Sequence, residues 1–189
     1  VIFRGGFFWV LGDWLADTRN QSMEKSGFFN SSSGDRIYDA VDFAAYFGSL
    51  VTNGVFYQVA TNLQVSPGSG LGVSVAAGTA WINGYRYENT DALNIPLTTA
   101  NGSNPRIDRV VVRLSSVNRN IQLAVVDGTP ATIPVAPALT RTSDVYELCI
   151  AEVLVPTAAT SIILNNITDT RLNTSLCGLV NSLVSAVYE

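Results

Sequence analysis

The sequence predicts a mainly β protein, a β-sandwich or open barrel of short antiparallel strands, with one N-terminal helix and a C-terminal helix. Three observations carry that prediction. From Val55 onward, apolar residues recur at every second position in short runs broken by Gly, Pro, Asn and Asp, the pattern of half-buried strands joined by turns. Asn83-Gly84 interrupts the run Ala80-Trp81-Ile82 and Tyr85-Arg86-Tyr87, and Asn-Gly accepts the positive φ angles of a type I′ hairpin turn. Only two stretches, near 39–54 and 175–189, change to a helical period.

Each element follows from local chemistry. Residues 26–35, Ser-Gly-Phe-Phe-Asn-Ser-Ser-Ser-Gly-Asp, read as an extended arm and loop. Asp39 is an N-cap, and Asp42 adds acidic charge in the first turn of the helix that follows. Ala40, Phe43, Ala44, Phe47, Leu50 and Val51 form one apolar stripe, read as packing residues, and Asn53-Gly54 stops the helix. Leu63-Gln64-Val65 and Val73-Ser74-Val75 are strands on either side of a Ser-Pro-Gly-Ser-Gly turn. In the Asn-Gly hairpin, Trp81 lies across from Arg86 and Ile82 faces Tyr85.

A second hairpin sets Val110, Val112 and Leu114 against Ile121, Leu123 and Val125, with its loop around Asn118. A proline-rich connection, 132–137, crosses to a strand over 146–155 whose apolar positions on both faces predict burial on both sides. Ser161-Ile162-Ile163-Leu164 reads as one more strand. At the C-terminus Leu176, Val180, Leu183 and Val187 form an a/d seam with Leu179 and Val184 beside it. Such a short helix either docks on the domain or begins a longer stalk, for which a trimer is favoured. The expected organisation is an extension at 1–22 outside the native fold, with translation starting at Met23; an arm and helix at 23–54; a β-rich domain at 55–174; and the helix at 175–189. The rival reading of the first segment, around Phe7-Phe8-Trp9, is an amphipathic anchor.

Composition excludes several functions. Hydrophobic residues make up 47% of the 189, enough for a substantial core. Charged residues are only 14%, against about 25% in an average soluble domain, which suits a part of a larger assembly. A net charge of −4 without any Lys or Arg run argues against nucleic-acid binding. No apolar run reaches the roughly twenty residues of a membrane helix, so no membrane insertion is expected. There is no histidine, which removes the usual nucleophile triads and nearly all catalytic zinc sites. Cys149 and Cys177 lack CxxC spacing; Cys149 reads as a small core residue, and a bridge between the two stays open. No metal and no cofactor are expected.

Three motifs set an acid near an arginine: Asp35-Arg36, Asp108-Arg109 and Asp169-Thr170-Arg171. A glycosidase needs two carboxylates, one with a raised pKa. Neighbouring arginines do the reverse. The six residues Asp35, Arg36, Asp108, Arg109, Asp169 and Arg171 therefore read as structural ion pairs tying the helix, the hairpin and the segment after the last strand together, and the chain as no enzyme. Trp81, Tyr85 and Tyr87 are the candidate glycan contacts, although cross-strand packing is the plainer role for Trp81.

Ser26-Gly-Phe-Phe-Asn-Ser, Gly34-Asp35-Arg36-Ile37-Tyr38, Asn53-Gly54-Val55, Ala80-Trp81-Ile82-Asn83-Gly84-Tyr85, Arg106-Ile107-Asp108-Arg109, Tyr146-Glu147-Leu148 and Ile167-Thr168-Asp169-Thr170-Arg171 occur in this order. In these motifs the chain resembles a family of tail structural proteins, receptor-binding or baseplate, of phages and prophages of Gram-positive bacteria, from Met23 to about Gly178. The resemblance implies a virion tail component made in the bacterial cytoplasm. Its partners would be other tail or baseplate proteins and copies of itself, and its role would be support of host attachment. The alternative is a carbohydrate-binding module recognising host cell-wall glycan.

Overall fold

The structure, a computed structural model, describes residues 26–184. The expectations for 1–22, and for Val187 in the C-terminal seam, lie outside the described residues. The chain divides at Tyr38 into an N-terminal unit and a larger body. In the first unit, residues 26–38 form no helix or strand, bend at 32–34, and take a left-handed φ of +64° at Phe28. Phe28 stacks on Tyr38 with ring centroids 5.2 Å apart, and the Phe29 N–H donates to the Tyr38 hydroxyl at 2.8 Å.

The body opens with helix α1, Ala40–Gly48, and its start follows the predicted chemistry. Asp39 Oδ1 accepts from the Val41 and Asp42 N–H groups, and Asp42 Oδ2 accepts from the Asp39 N–H at 3.0 Å. This reciprocal capping box satisfies donors that a helix start otherwise leaves open. The predicted stripe is only partly used. Ala44 is buried, Phe43 and Phe47 are nearly half exposed, and Leu50 and Val51 fall beyond the helix end.

Ten strands follow: β1 Gly54–Val55, β2 Val65–Pro67, β3 Gly72–Val75, β4 Gly78–Ile82, β5 Tyr85–Asn89, β6 Leu93–Pro96, β7 Arg106–Ser115, β8 Asn120–Val126, β9 Val145–Val155 and β10 Ile167–Asp169. They form three antiparallel sheets, ordered β1-β4-β5, β2-β3-β6 and β10-β9-β7-β8. One core joins all three. Val55, Val73, Val75, Ala80 and Ile82 from the small sheets pack with Val110, Val112, Leu148, Ile150 and Val153 of the large one.

The two hairpins form in the predicted register. Trp81 pairs with Arg86 and Ile82 with Tyr85; Asn83 and Gly84 take φ +49° and +83°, as a type I′ turn requires. Gly84 is also needed for packing, because a Cβ there would run into the Ala44 carbonyl of α1. In the second hairpin Val110, Val112 and Leu114 pair with Val125, Leu123 and Ile121.

β9 is buried along most of its length, as its doubly apolar sequence predicts. A bulge explains the pattern. Val110 pairs with Ala151 while Val111 pairs with Cys149, leaving Ile150 as the extra residue. Leu148, Ile150, Ala151 and Val153 then all join the core, while Cys149 and Val111 are buried outside that cluster.

Three sequence expectations are corrected. The strand expected at 161–164 is instead a bend and a 3-10 turn, Leu164–Asn166, in which Asn166 Oδ1 accepts the Ile163 N–H; the strand comes afterwards, as β10. β6 has no counterpart in the sequence reading, since its alternating pattern is weak and most of it is exposed. The C-terminal helix is absent through Val184. Instead Val55 N–H donates to Gly178 O, Val180 N–H to Val55 O, and Leu183 N–H to Leu50 O at 2.8 Å. An isolated helix this short is marginal, whereas the open backbone beside β1 offers hydrogen bonds residue by residue. Gly54 permits the approach, because a Cβ there would overlap Gly178 and Leu179. Leu176, Val180 and Leu183 therefore form no helical seam, and the trimer loses that support. Among the described residues no helix is long and apolar enough to cross a membrane.

Candidate functional site

Two buried arginine clamps are the most constrained chemistry in the body. Arg171, 1% exposed, follows β10. Its Nε donates to Asp169 Oδ1 at 2.9 Å and its Nη2 to Asp169 Oδ2 at 2.6 Å. Its Nη1 donates to the carbonyls of Ala60 and Asn62 at 2.8 and 2.7 Å, and the guanidinium lies 5.4 Å from the Tyr57 ring centroid. The segment between β1 and β2 is thus fastened to a residue more than 100 positions away.

Arg106 repeats the arrangement at the start of β7. Its Nε donates to both oxygens of the fully buried Asp108, and Nη1 and Nη2 donate to the carbonyls of Thr99 and Thr98 at 2.9 and 2.6 Å. Asp108 also accepts the Gly128 N–H at 2.8 Å. Each clamp holds a loop by its backbone, so the planar fork of arginine is required rather than charge alone.

The predicted pairs fare unequally. Asp169–Arg171 forms as expected. Asp108 and Arg109 do not pair: adjacent strand residues point to opposite faces, so Asp108 meets Arg106 on the core side. Arg109 meets Glu152 at 2.8 Å on the other side. Asp35 and Arg36 are 3.6 Å apart, both about half exposed, and tie no element to another. Arg106, Arg113, Glu147 and Glu152 are the residues missed by reading neighbours. The signal was present for Arg106, because i, i+2 spacing in a strand places it with Asp108 on one face.

The acids do not converge for catalysis. Asp108 and Asp169 lie on β7 and β10, which are separated by β9. Burial opposes the charge on Asp169, but the hydrogen bonds and charge of Arg171 outweigh it and hold the carboxyl below its ordinary value. Asp35 is likewise lowered, chiefly by the Ser32 N–H it accepts. A general acid needs the opposite shift. Among the described residues no group of three or more His, Cys, Asp and Glu is placed to hold a metal.

Trp81, Tyr85 and Tyr87 do not build one stacking platform. Tyr85 and Tyr87 pair with Ile82 and Ala80 and pack on the core, whereas Trp81 pairs with Arg86 on the opposite face. There Phe47 of α1 meets Trp81 edge-on, ring centroids 5.8 Å apart. Tyr85 alone reaches a cleft of about 710 Å³, beside Val41, Leu114 and Ile121.

Both cysteines are free and buried. Burial raises the Cys149 thiol and pushes the Cys177 thiol up to about 12. The unfolded chain ionises Cys177 near its ordinary value of 9.0, so the unfolded state releases this proton first as pH rises. The stabilisation is therefore whole below about pH 9 and fades toward pH 12, at up to about 1.4 kcal/mol per pH unit. Urea midpoints measured at pH 8 and pH 11 should fall less in Cys177→Ala than in the parent. Equal falls would remove Cys177 from the pH response.

Fold and site together define a mainly β module in which two arginine–aspartate pairs, Arg106–Asp108 and Arg171–Asp169, serve as internal fasteners. No family model, no curated protein and no solved structure matches the chain.

Proposed function

We propose that this chain is a non-catalytic virion structural component of a phage tail or baseplate that supports host attachment. The observation that carries the reading is the engagement of the motif charges. Arg106-Ile107-Asp108 and Asp169-Thr170-Arg171, two of the motifs behind the tail-protein resemblance, have their guanidinium donors committed to partner carboxylates and loop carbonyls. Motifs of this kind preserve a fold and leave no free acid for hydrolysis. A single core shared by the small sheets and the four-stranded sheet supports the β-sandwich form of that fold.

Self-association belongs to the same reading. Low charge content and exposed Phe29 and Ile37 in the arm support burial against other subunits. Immunogold labelling of purified virions with antibody to this chain should decorate the tail end. Absence from virions, or depolymerisation of host cell-wall polymer by the purified chain, would overturn the proposal.

A further inference from the structure

The sequence contains three Asn-Gly pairs, Asn53-Gly54, Asn83-Gly84 and Asn101-Gly102. A glycine nitrogen has no side chain to hinder its closing on the preceding asparagine amide, so local chemistry makes the three alike. The fold separates them. Gly54 and Gly84 are buried. A Cβ at Gly54 would overlap the backbone of Gly178 and Leu179, and one at Gly84 the Ala44 carbonyl, so neither backbone has room to swing its nitrogen. Their asparagines also hold each other: Asn53 Nδ2 donates to Asn83 Oδ1 at 2.8 Å, and the Asn83 N–H donates to Asn53 Oδ1 at 2.7 Å.

Asn101-Gly102 is the opposite case. Both residues are exposed, and a Cβ at Gly102 would meet nothing within 4 Å. Asn101 Oδ1 accepts the N–H groups of Ser103 and Asn104 at 2.8 and 2.9 Å, an Asx turn that folds the side chain back along its own backbone. The Asn101 carbonyl accepts the Ala158 N–H at 2.9 Å. Arg106 closes the loop by donating to the Thr98 and Thr99 carbonyls. The frame is therefore fixed while the glycine keeps its freedom. Two N–H groups aimed at one carbonyl oxygen are the arrangement that stabilises a developing oxyanion.

We propose that Asn101 is a self-modifying site, converted without an enzyme to aspartate and isoaspartate, and that the Ser103 and Asn104 N–H groups promote the step. The Gly102 nitrogen gives its proton to hydroxide and attacks Asn101 Cγ, which places negative charge on Oδ1, where both donors already point. The Cγ–Nδ2 bond then breaks, Nδ2 leaves as ammonia with a proton from water, and a five-membered imide remains. Water adds to either imide carbonyl and opens the ring to aspartate or isoaspartate. The net change consumes one water and releases one ammonia, with no oxidation or reduction. The product carries one more negative charge, and the isoaspartyl form adds a main-chain methylene inside the loop that Arg106 closes. This chemistry holds whether or not the chain is a tail component.

The test is incubation of the folded full chain at mildly alkaline pH, followed by peptide mass spectrometry with isoaspartate resolved by chromatography. Asn101 should convert at least about tenfold faster than Asn53 or Asn83, because orientation and oxyanion donors distinguish it. In the urea-unfolded chain the three pairs should convert at similar rates. Ser103→Pro, at an exposed position, removes one donor and should slow Asn101 several-fold in the folded chain. Ser103→Ala keeps the N–H and should leave the rate unchanged. Equal rates at the three pairs in the folded chain, conversion of Asn101 only after unfolding, an unslowed Ser103→Pro, or a Ser103→Ala as slow as Ser103→Pro would each overturn it.

Discussion

Arg171→Ala is expected to destabilise the folded body by about 2–4 kcal/mol, because buried carbonyls lose their donors while Asp169, 47% exposed, is largely re-solvated. At about 2–4 °C per kcal/mol for a domain of this size, the melting temperature should fall by roughly 4–16 °C. The loss has two parts. Asp169 keeps its charge without its partner, and the Ala60 and Asn62 carbonyls lose the donors that hold their loop. Arg171→Lys should recover little, since one ammonium cannot replace four directed hydrogen bonds. Arg36→Ala is the control: its pair with Asp35 is exposed, and such pairs contribute about 0–1 kcal/mol. Amide exchange locates the effect. Leu63 N–H, bonded to Ala77 O beside the clamped loop, should exchange faster in Arg171→Ala, and unchanged protection there would refute the clamp.

Asp108→Ala should cost more, about 3–5 kcal/mol, because both members of its pair are buried. It strands the Arg106 guanidinium, 4% exposed, with no counter-charge, and it leaves the Gly128 N–H without its acceptor. Stranding a buried charge costs more than removing the pair. The double variant Arg106→Met, Asp108→Val should therefore be more stable than Asp108→Ala alone, measured by urea denaturation. A double variant weaker than Asp108→Ala would show that the Thr98 and Thr99 carbonyls, rather than charge compensation, dominate this clamp.

The contrast between the two clamps and Asp35–Arg36 separates what local sequence can report from what it cannot. Asp169 and Arg171 meet across a turn just after β10, so their closeness along the chain was enough to read the pair. Asp108 with Arg109 was misread because adjacency in sequence was taken for adjacency in space. Strand alternation sends the two to opposite sides, and their true partners are Arg106 and Glu152. The aromatic set failed for the same reason, with Trp81 on one face of its hairpin and Tyr85 and Tyr87 on the other.

By itself the sequence determined the elements whose causes are local. These are the Asp39 helix cap, the Asn83-Gly84 turn, the register of both hairpins, and the doubly apolar β9 that becomes an inner strand. Tertiary structure decided the rest. It turned a C-terminal segment with helical spacing into the extended partner of β1, because unpaired backbone there outweighs a marginal helix. It also gave Arg171 its role, because the carbonyls of Ala60 and Asn62 reach that guanidinium only after the intervening sheets have packed. A polar row of Gln122, Arg113 and Glu147 likewise exists only through pairing of three strands, and no reading along a single strand brings those side chains together.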